Sequence, residues 1–265
     1  MTEMFPSPPV YLYKYRVLGG EQARARLREL VEGATLYCSA YEDLNDPFEG
    51  QALPQMESSR ESMLKFWVER SHVLPVVPPM TPAETIAQLV EAAGTPQGRE
   101  KLHATMKGLL RTGGVCCLAD APDSVPMWSY YADGHKGVCL RFRVDDAFIR
   151  WAFGTGGLLI KVHYSHEYPH VNFFEASDEE LARALIGTKA IEWKHEGEWR
   201  LVMPATAGPV AYPRENLDGI ILGARAGKAD RDFVRKLVGE RTPRPLLFNA
   251  RPAEASFALK IEPEG

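Results

Sequence analysis

The stretch Trp193-Lys194-His195-Glu196-Gly197-Glu198-Trp199-Arg200-Leu201-Val202 sets the fold class. Taken two residues at a time, Trp193, His195, Trp199 and Leu201 fall on one side, and Lys194, Glu196, Glu198 and Arg200 on the other. That period predicts a half-buried β-strand, its tryptophan side against a core and its charged side facing outward or into a cleft. Two carboxylates two residues apart on one strand face repel each other unless a cation stands between or opposite them. Such a pair is costly as decoration and useful as chemistry. A solvated strand face with cross-strand ion pairs, or a helical turn pairing Glu196 with Arg200, is the alternative.

Working outward, the segments before and after this stretch supply more strands and the helices that cover them. Val10 to Arg16 is aromatic and β-favouring and ends before Gly19-Gly20, which predicts a first strand. Glu21 to Glu32 carries an apolar stripe of Ala23, Leu27, Leu30 and Val31, and Gly33 stops that helix. Arg24, Arg26 and Arg28 spread around its cylinder, as a solvated surface requires. Further strands are expected at Thr35 to Ser39, Val115 to Leu118, Val138 to Val144 and Leu158 to Ser165. A short helix begins near Asp145 and another covers Asp178 to Ala190. The tail reads as strand (Gly219 to Leu222), helix (Lys228 to Val238), strand (Leu246 to Asn249) and strand (Ser256 to Ile261).

Residues 56–112 differ in character. They read as helices at Ser59 to Arg70, Thr81 to Ala93 and Gly98 to Arg111, interrupted by Pro75-Val76-Val77-Pro78-Pro79. Thr81, Pro82 and Glu84 form the signature of a capped helix start. The expectation is an α+β fold over 1–265 as a single domain, a mixed or antiparallel sheet with flanking helices and a helical insertion at 56–112.

Hydrophobic content of 45% and charged content of 25% are globular values and exclude a disordered or fibrous chain. A net charge of −4 argues against bulk, sequence-blind nucleic-acid binding while leaving room for a local basic groove. Cys38, Cys116, Cys117 and Cys139 lack C-x-x-C spacing and read as buried thiols in a reducing compartment. Met1 to Pro9 has no apolar run fit for a signal peptide, and no segment is long and apolar enough to span a bilayer. The expected location is cytoplasmic, with no membrane partner.

The sequence offers several chemistries. Asn45-Asp46-Pro47-Phe48-Glu49 favours a tight turn that presents Asn45, Asp46 and Glu49 to a pocket, or a capped helix start. His163, His166 and His170 are spaced poorly for zinc: Tyr168-Pro169 breaks a helix, and a strand would turn His163 and His166 to opposite faces, so no metal is expected. Paired carboxylates at Asp46, Glu196 and Glu198 suit Mg²⁺ and a nuclease, yet Arg200 stands where such sites often place lysine. N-glycosidic chemistry fits better. Its oxocarbenium-like transition state needs one ionised carboxylate, aromatic faces for flat rings, and polar or cationic groups for a diphosphate. Glu198 supplies the first. Tyr13, Tyr15, Trp128 and Tyr131 supply the faces, and Arg16, Ser129, His135 and Lys136 supply the rest.

Tyr13-Lys14-Tyr15, Leu44-Asn45-Asp46-Pro47-Phe48-Glu49, Met127-Trp128-Ser129-Tyr130-Tyr131-Ala132 with His135-Lys136-Gly137, and Trp193-x-x-Glu196-x-Glu198-Trp199-Arg200 occur in that order. With them the chain resembles the bacterial family catalogued as domain of unknown function 2971, over residues 11–225; the family name implies no activity. The layout is similar, more loosely, to that of ADP-ribosyltransferases. That resemblance implies NAD as substrate, Glu198 as the catalytic carboxylate and Glu196 as a helper positioning the acceptor. It also implies Arg16, or Tyr15 in a shifted register, as the first-strand ligand, and Ser129 as the middle serine. No Ser-Thr-Ser triplet is present, and Asn45-Asp46-Pro47 has no counterpart in the layout. The implied function is an NAD-consuming transferase, a toxin or phage-defence effector, its acceptor (protein or nucleic acid) left open. A metal-dependent nuclease and a non-enzymatic ligand-sensing or adaptor module are the other readings.

Overall fold

Six alternating residues at the first strand, buried at their centre, show how the sheet begins. The structure, a computed structural model, describes residues 7–51, 53–73, 80–203 and 207–264. In chain order the elements are β1 (Tyr11–Arg16), α1 (Glu21–Val31), β2 (Thr35–Ala40), α2 (Arg60–Glu69), α3 (Pro82–Ala93), α4 (Pro96–Thr112), β3 (Gly114–Ala119), α5 (Val125–Tyr131), β4 (Val138–Arg143) and α6 (Asp146–Gly154). There follow β5 (Leu158–Lys161), β6 (His163–Ser165), α7 (Asp178–Ile186), β7 (Thr188–Ala190), β8 (Glu198–Met203), β9 (Gly208–Ala211), β10 (Leu217–Leu222), α8 (Lys228–Gly239), β11 (Leu246–Pro252) and β12 (Leu259–Pro263). The class is α+β. Among the described residues no helix is long and apolar enough to cross a membrane.

The chain divides into two units, one of residues 1–43, 113–162 and 191–265, the other of 44–112 and 163–190. The helical stretch 56–112 thus folds together with a second, later segment. In this second unit Met56, Met63, Phe66, Ile86, Val90, Ala93, Phe174 and Leu181 form the core. Thr81 accepts from the Glu84 backbone N–H and Glu84 reaches back to the Thr81 N–H, so α3 starts on the expected capping box. Pro75 to Pro79 and Met1 to Pro6 lie outside the described residues.

The first unit holds one large sheet in the order β12-β11-β10-β4-β1-β3-β2-β9, with β8 paired to β3 and β5 to β8. It is mixed: β10 and β11 run parallel, and the other ladders are antiparallel. Its two faces bury different clusters. Leu12, Leu118, Leu140, Trp199, Leu201 and Val234 belong to one, and Tyr13, Tyr15, Ala119, Trp128, Cys139 and Ile221 to the other. Each fully enclosed leucine contributes about 1.5–3 kcal/mol.

Within this sheet β3 has divided loyalties. One edge pairs along its whole length with β8. The opposite edge pairs with β2 only at Gly114 and Val115 and with β1 only at Ala119. Between these points β1 and β2 diverge, and the buried Lys14 ammonium donates to the Cys117 carbonyl at 2.7 Å. A carbonyl left without a ladder partner is thereby satisfied.

Several sequence expectations need correction. The stretch from Trp193 to Val202 is not one strand: Ile191–Glu196 is a 3₁₀ segment, Gly197 takes a left-handed φ of 51°, and only then does β8 begin. The glycine breaks the period of two, so Trp193 is half-buried while Trp199 is the core anchor. β8 is also not half-buried. All six of its residues are enclosed, because it is paired on both edges and covered on both faces. Leu158 to Ser165 splits into β5 and β6, which join different sheets. The helix from Asp178 ends at Ile186, and Thr188–Ala190 pairs with β6. The last strand lies at Leu259–Pro263, and β9, unforeseen, pairs with β2.

Candidate active-site face of the central sheet

Backbone register sets the site in the first unit. Tyr13 on β1 lies opposite Ala119 on β3, and Ala119 lies opposite Glu198 on β8. On the other side Tyr13 lies opposite Arg141 and Arg141 opposite Gly219. Directly opposed residues of neighbouring strands point to the same face. One row therefore runs Gly219, Arg141, Tyr13, Ala119, Glu198. With strands about 4.8 Å apart, Tyr13 and Glu198 are about 10 Å from each other along the row. The small Ala119 stands between them.

Glu198 is held by its own strand. Arg200, two residues on and on the same face, brings Nε to 2.9 Å and Nη2 to 3.3 Å from the two carboxylate oxygens. Both groups are enclosed, at 3% and 0% exposure, so the charges are taken out of water as a pair. Burying charge this way is unfavourable unless geometry and hydrogen bonds are good. Here the fork-on geometry is bidentate. Enclosure of the sulfur, and then the Glu198 carboxylate beside it, push the Cys117 thiol well above its ordinary range. That keeps it protonated and a poor nucleophile.

Glu196 closes the 3₁₀ segment and is buried, its Oε1 accepting from the Tyr131 hydroxyl at 2.5 Å. Gly197 joins the two glutamates at a point where no side chain fits: a Cβ there would lie 2.0 Å from Asp120 Oδ1. The Asp120 N–H donates to the Gly197 carbonyl at 3.0 Å, and Lys161 lies 3.8 Å from the Asp120 carboxylate.

The aromatic groups come from β1 and α5, which is capped by Ser124 and carries Pro126 in its first turn. Trp128 is fully buried, meets the Tyr15 ring edge-on at 5.2 Å, and donates its indole N–H to the Pro122 carbonyl at 2.8 Å. The Tyr15 hydroxyl donates to the Ala121 carbonyl at 2.8 Å. Burial raises the phenol pKa of both Tyr15 and Tyr13, with Arg141 opposing the shift at Tyr13. Both stay neutral hydroxyls at physiological pH.

The structure gathers Tyr13, Tyr15, Trp128, Tyr131, Glu196 and Glu198 in this unit. The other expected residues are arranged differently. Ser129 is exposed on α5, its hydroxyl donating to the Val125 carbonyl at 2.9 Å and lying 3.3 Å from His135 Nε2. His135 stacks on Trp128 with its pKa lowered, first by desolvation and then by Arg225, and Lys136 is exposed beside Asp133. Arg16, by the alternation of β1, points to the face opposite Tyr13 and Tyr15. Asn45, Asp46 and Glu49 belong to the second unit. There Asp46 is buried and accepts from the Phe48 N–H at 2.9 Å, an Asx turn and no helix cap, while enclosed Glu49 lies 3.8 Å from Lys189. Sequence reasoning missed Ala119 and Arg141, which only register places in the row. Arg200 had a signal, its i,i+2 spacing from Glu198.

The fold and this face define an α+β protein whose central sheet encloses a carboxylate–guanidinium pair beside a tyrosine and tryptophan cluster. Residues 127–201 match the model of a family described as "Protein of unknown function (DUF2971)". The match runs from α5 into β8 and bears out that family resemblance, over a shorter span than the motifs suggest. Among curated proteins and solved structures, none matches the chain.

Proposed function

We propose that the first unit is an ADP-ribosyltransferase-like catalyst that consumes NAD, with Glu198 stabilising the ribosyl oxocarbenium ion as nicotinamide departs. The observation that carries this reading is the row Tyr13, Ala119, Glu198. It sets an aromatic face and a carboxylate on one side of the sheet with a methyl group between them, while Arg200 fixes the carboxylate. A fixed anion at developing positive charge is the kind of electrostatic stabilisation that such chemistry needs. Tyr13 and Tyr131 hold the substrate in this reading and Glu196 orients the acceptor, a protein or nucleic acid. Arg16 takes no part. Consumption of NAD in a bacterial cell is the basis on which a toxin or phage-defence role would rest.

A second reading rests on a specific observation, the enclosure of Glu198 and Arg200. In it the pair is a rigid support in a ligand-binding or adaptor module without turnover. Titration of the full chain with NAD, with released nicotinamide measured by chromatography, separates the two. Binding with release that Ala119→Val weakens supports the transferase. Binding without release supports the module, and absence of both overturns the assignment of NAD.

A further inference from the structure

Arg16 lies outside the row across the sheet and lines a cavity of its own. Where β1 and β2 diverge from β3, the first unit encloses a cavity of about 410 Å³, bounded by the end of β1, α1, β2 and the edge of β9. Arg16, Arg26, Glu29, Thr35, Tyr37 and Ser39 bring polar groups to its wall. A volume of this size falls within the range of about 300–1,000 Å³ typical of small-molecule pockets.

The cations in this cavity are not neutralised by the protein. Arg16 is half-buried and Arg26 exposed, and among the described residues neither makes an ion pair or side-chain hydrogen bond. This contrasts with Arg24 on the same helix, which pairs with Asp230 at 2.7 Å. Arg16 is destabilised further by Arg26: desolvation first, and then this like charge, lower its pKa, although an arginine remains cationic. Glu29 reaches the wall without coming within ion-pair distance of either guanidinium. A half-buried guanidinium with a second, exposed one beside it, neither paired with a carboxylate, is a favourable arrangement for an anion. Tyr37 adds a ring that is 56% exposed, a face on which a planar group stacks. Ser39 and Thr35 add hydroxyls.

We propose that this cavity binds a mononucleotide, its phosphate on Arg16 and Arg26 and its base on Tyr37. The site shares no lining residue with the row and is independent of the NAD-consuming reading.

Calorimetric titration of the full chain with adenosine monophosphate, inorganic phosphate and adenosine tests it. The expected order is nucleotide tightest, phosphate weaker and adenosine weakest. Arg26→Gln, on an exposed helix surface, should weaken nucleotide binding by about ten- to hundredfold, the loss of a charge-assisted hydrogen bond. Tyr37→Ala should weaken the nucleotide and leave phosphate unchanged. Without ligand, Arg16→Met should melt no lower than the parent, because it removes an unpaired charge. Phosphate binding with no preference for the nucleotide overturns the assignment of a mononucleotide. No binding of any of the three by the folded parent, or nucleotide binding unchanged in Arg16→Met and Arg26→Gln, overturns the site.

Discussion

Tyr13 and Glu198 stand two strands apart in one row of the sheet, and Ala119 occupies the position between them. The side chain at residue 119 therefore decides how much room separates a ring from a carboxylate. Ala119 is already 2% exposed, so Ala119→Val overfills the row. The expected cost is about 1–3 kcal/mol, read from the midpoint of denaturant unfolding. An unchanged midpoint would show that the row has slack.

Glu198 and Arg200 are enclosed together, and removing one leaves the other charged in a poor environment. Arg200→Met should cost about 3–5 kcal/mol. Changing both, with Glu198→Gln beside Arg200→Met, should cost less than the sum of the two single changes. A double-mutant cycle measures that coupling. Additive effects would mean that the bidentate contact contributes nothing to stability.

Gly197 has a left-handed φ of 51° and faces Asp120 where a Cβ would sit, 2.0 Å from Oδ1. Gly197→Ala should lose about 1–2 kcal/mol from the backbone alone, and more from the collision. Adding Asp120→Ala should recover the collision and not the backbone part. Thermal unfolding of the two variants separates them; no recovery would place the strain elsewhere.

These three positions also show what was legible in the sequence. Local signals were sound: the aromatic alternation of Tyr11 to Arg16, the stripe of Leu27, Leu30 and Val31, and the Thr81–Glu84 box each produced the element they encode. Period two runs through Gly197 and predicts an interior strand residue there, because a backbone angle leaves no trace in a hydropathy pattern. The pairing of β3 with β8, β1 and β2 depends on residues far apart in the chain. Ala119 and the cleft at Arg16 follow from that pairing, so neither could be seen beforehand. The ADP-ribosyltransferase layout sets Arg16 beside Tyr13 as a ligand of the same site, although strand alternation alone turns them to opposite faces.

Tyr212 gives an alkaline test of the first unit's packing. Its hydroxyl donates to the Leu30 carbonyl at 2.7 Å, and burial, partly opposed by Arg241, pushes its pKa up to about 12. An unfolded tyrosine titrates near pH 10. The folded state thus holds its proton more tightly, so this contribution is full below pH 10 and is lost as pH rises toward 12. The stability difference between the parent and Tyr212→Phe should be constant below pH 10 and shrink above it. A difference that grows with alkalinity would contradict the buried neutral phenol.

The most direct test of the NAD reading is the rate of nicotinamide release from NAD by the full chain, compared with Glu198→Gln after circular dichroism has shown the variant folded. The expected result is release by the parent and a fall of about 10²–10³-fold in the variant, the scale of losing one preorganised electrostatic group. Equal rates in the two folded proteins, or no release by the parent, would contradict Glu198 as the catalytic carboxylate.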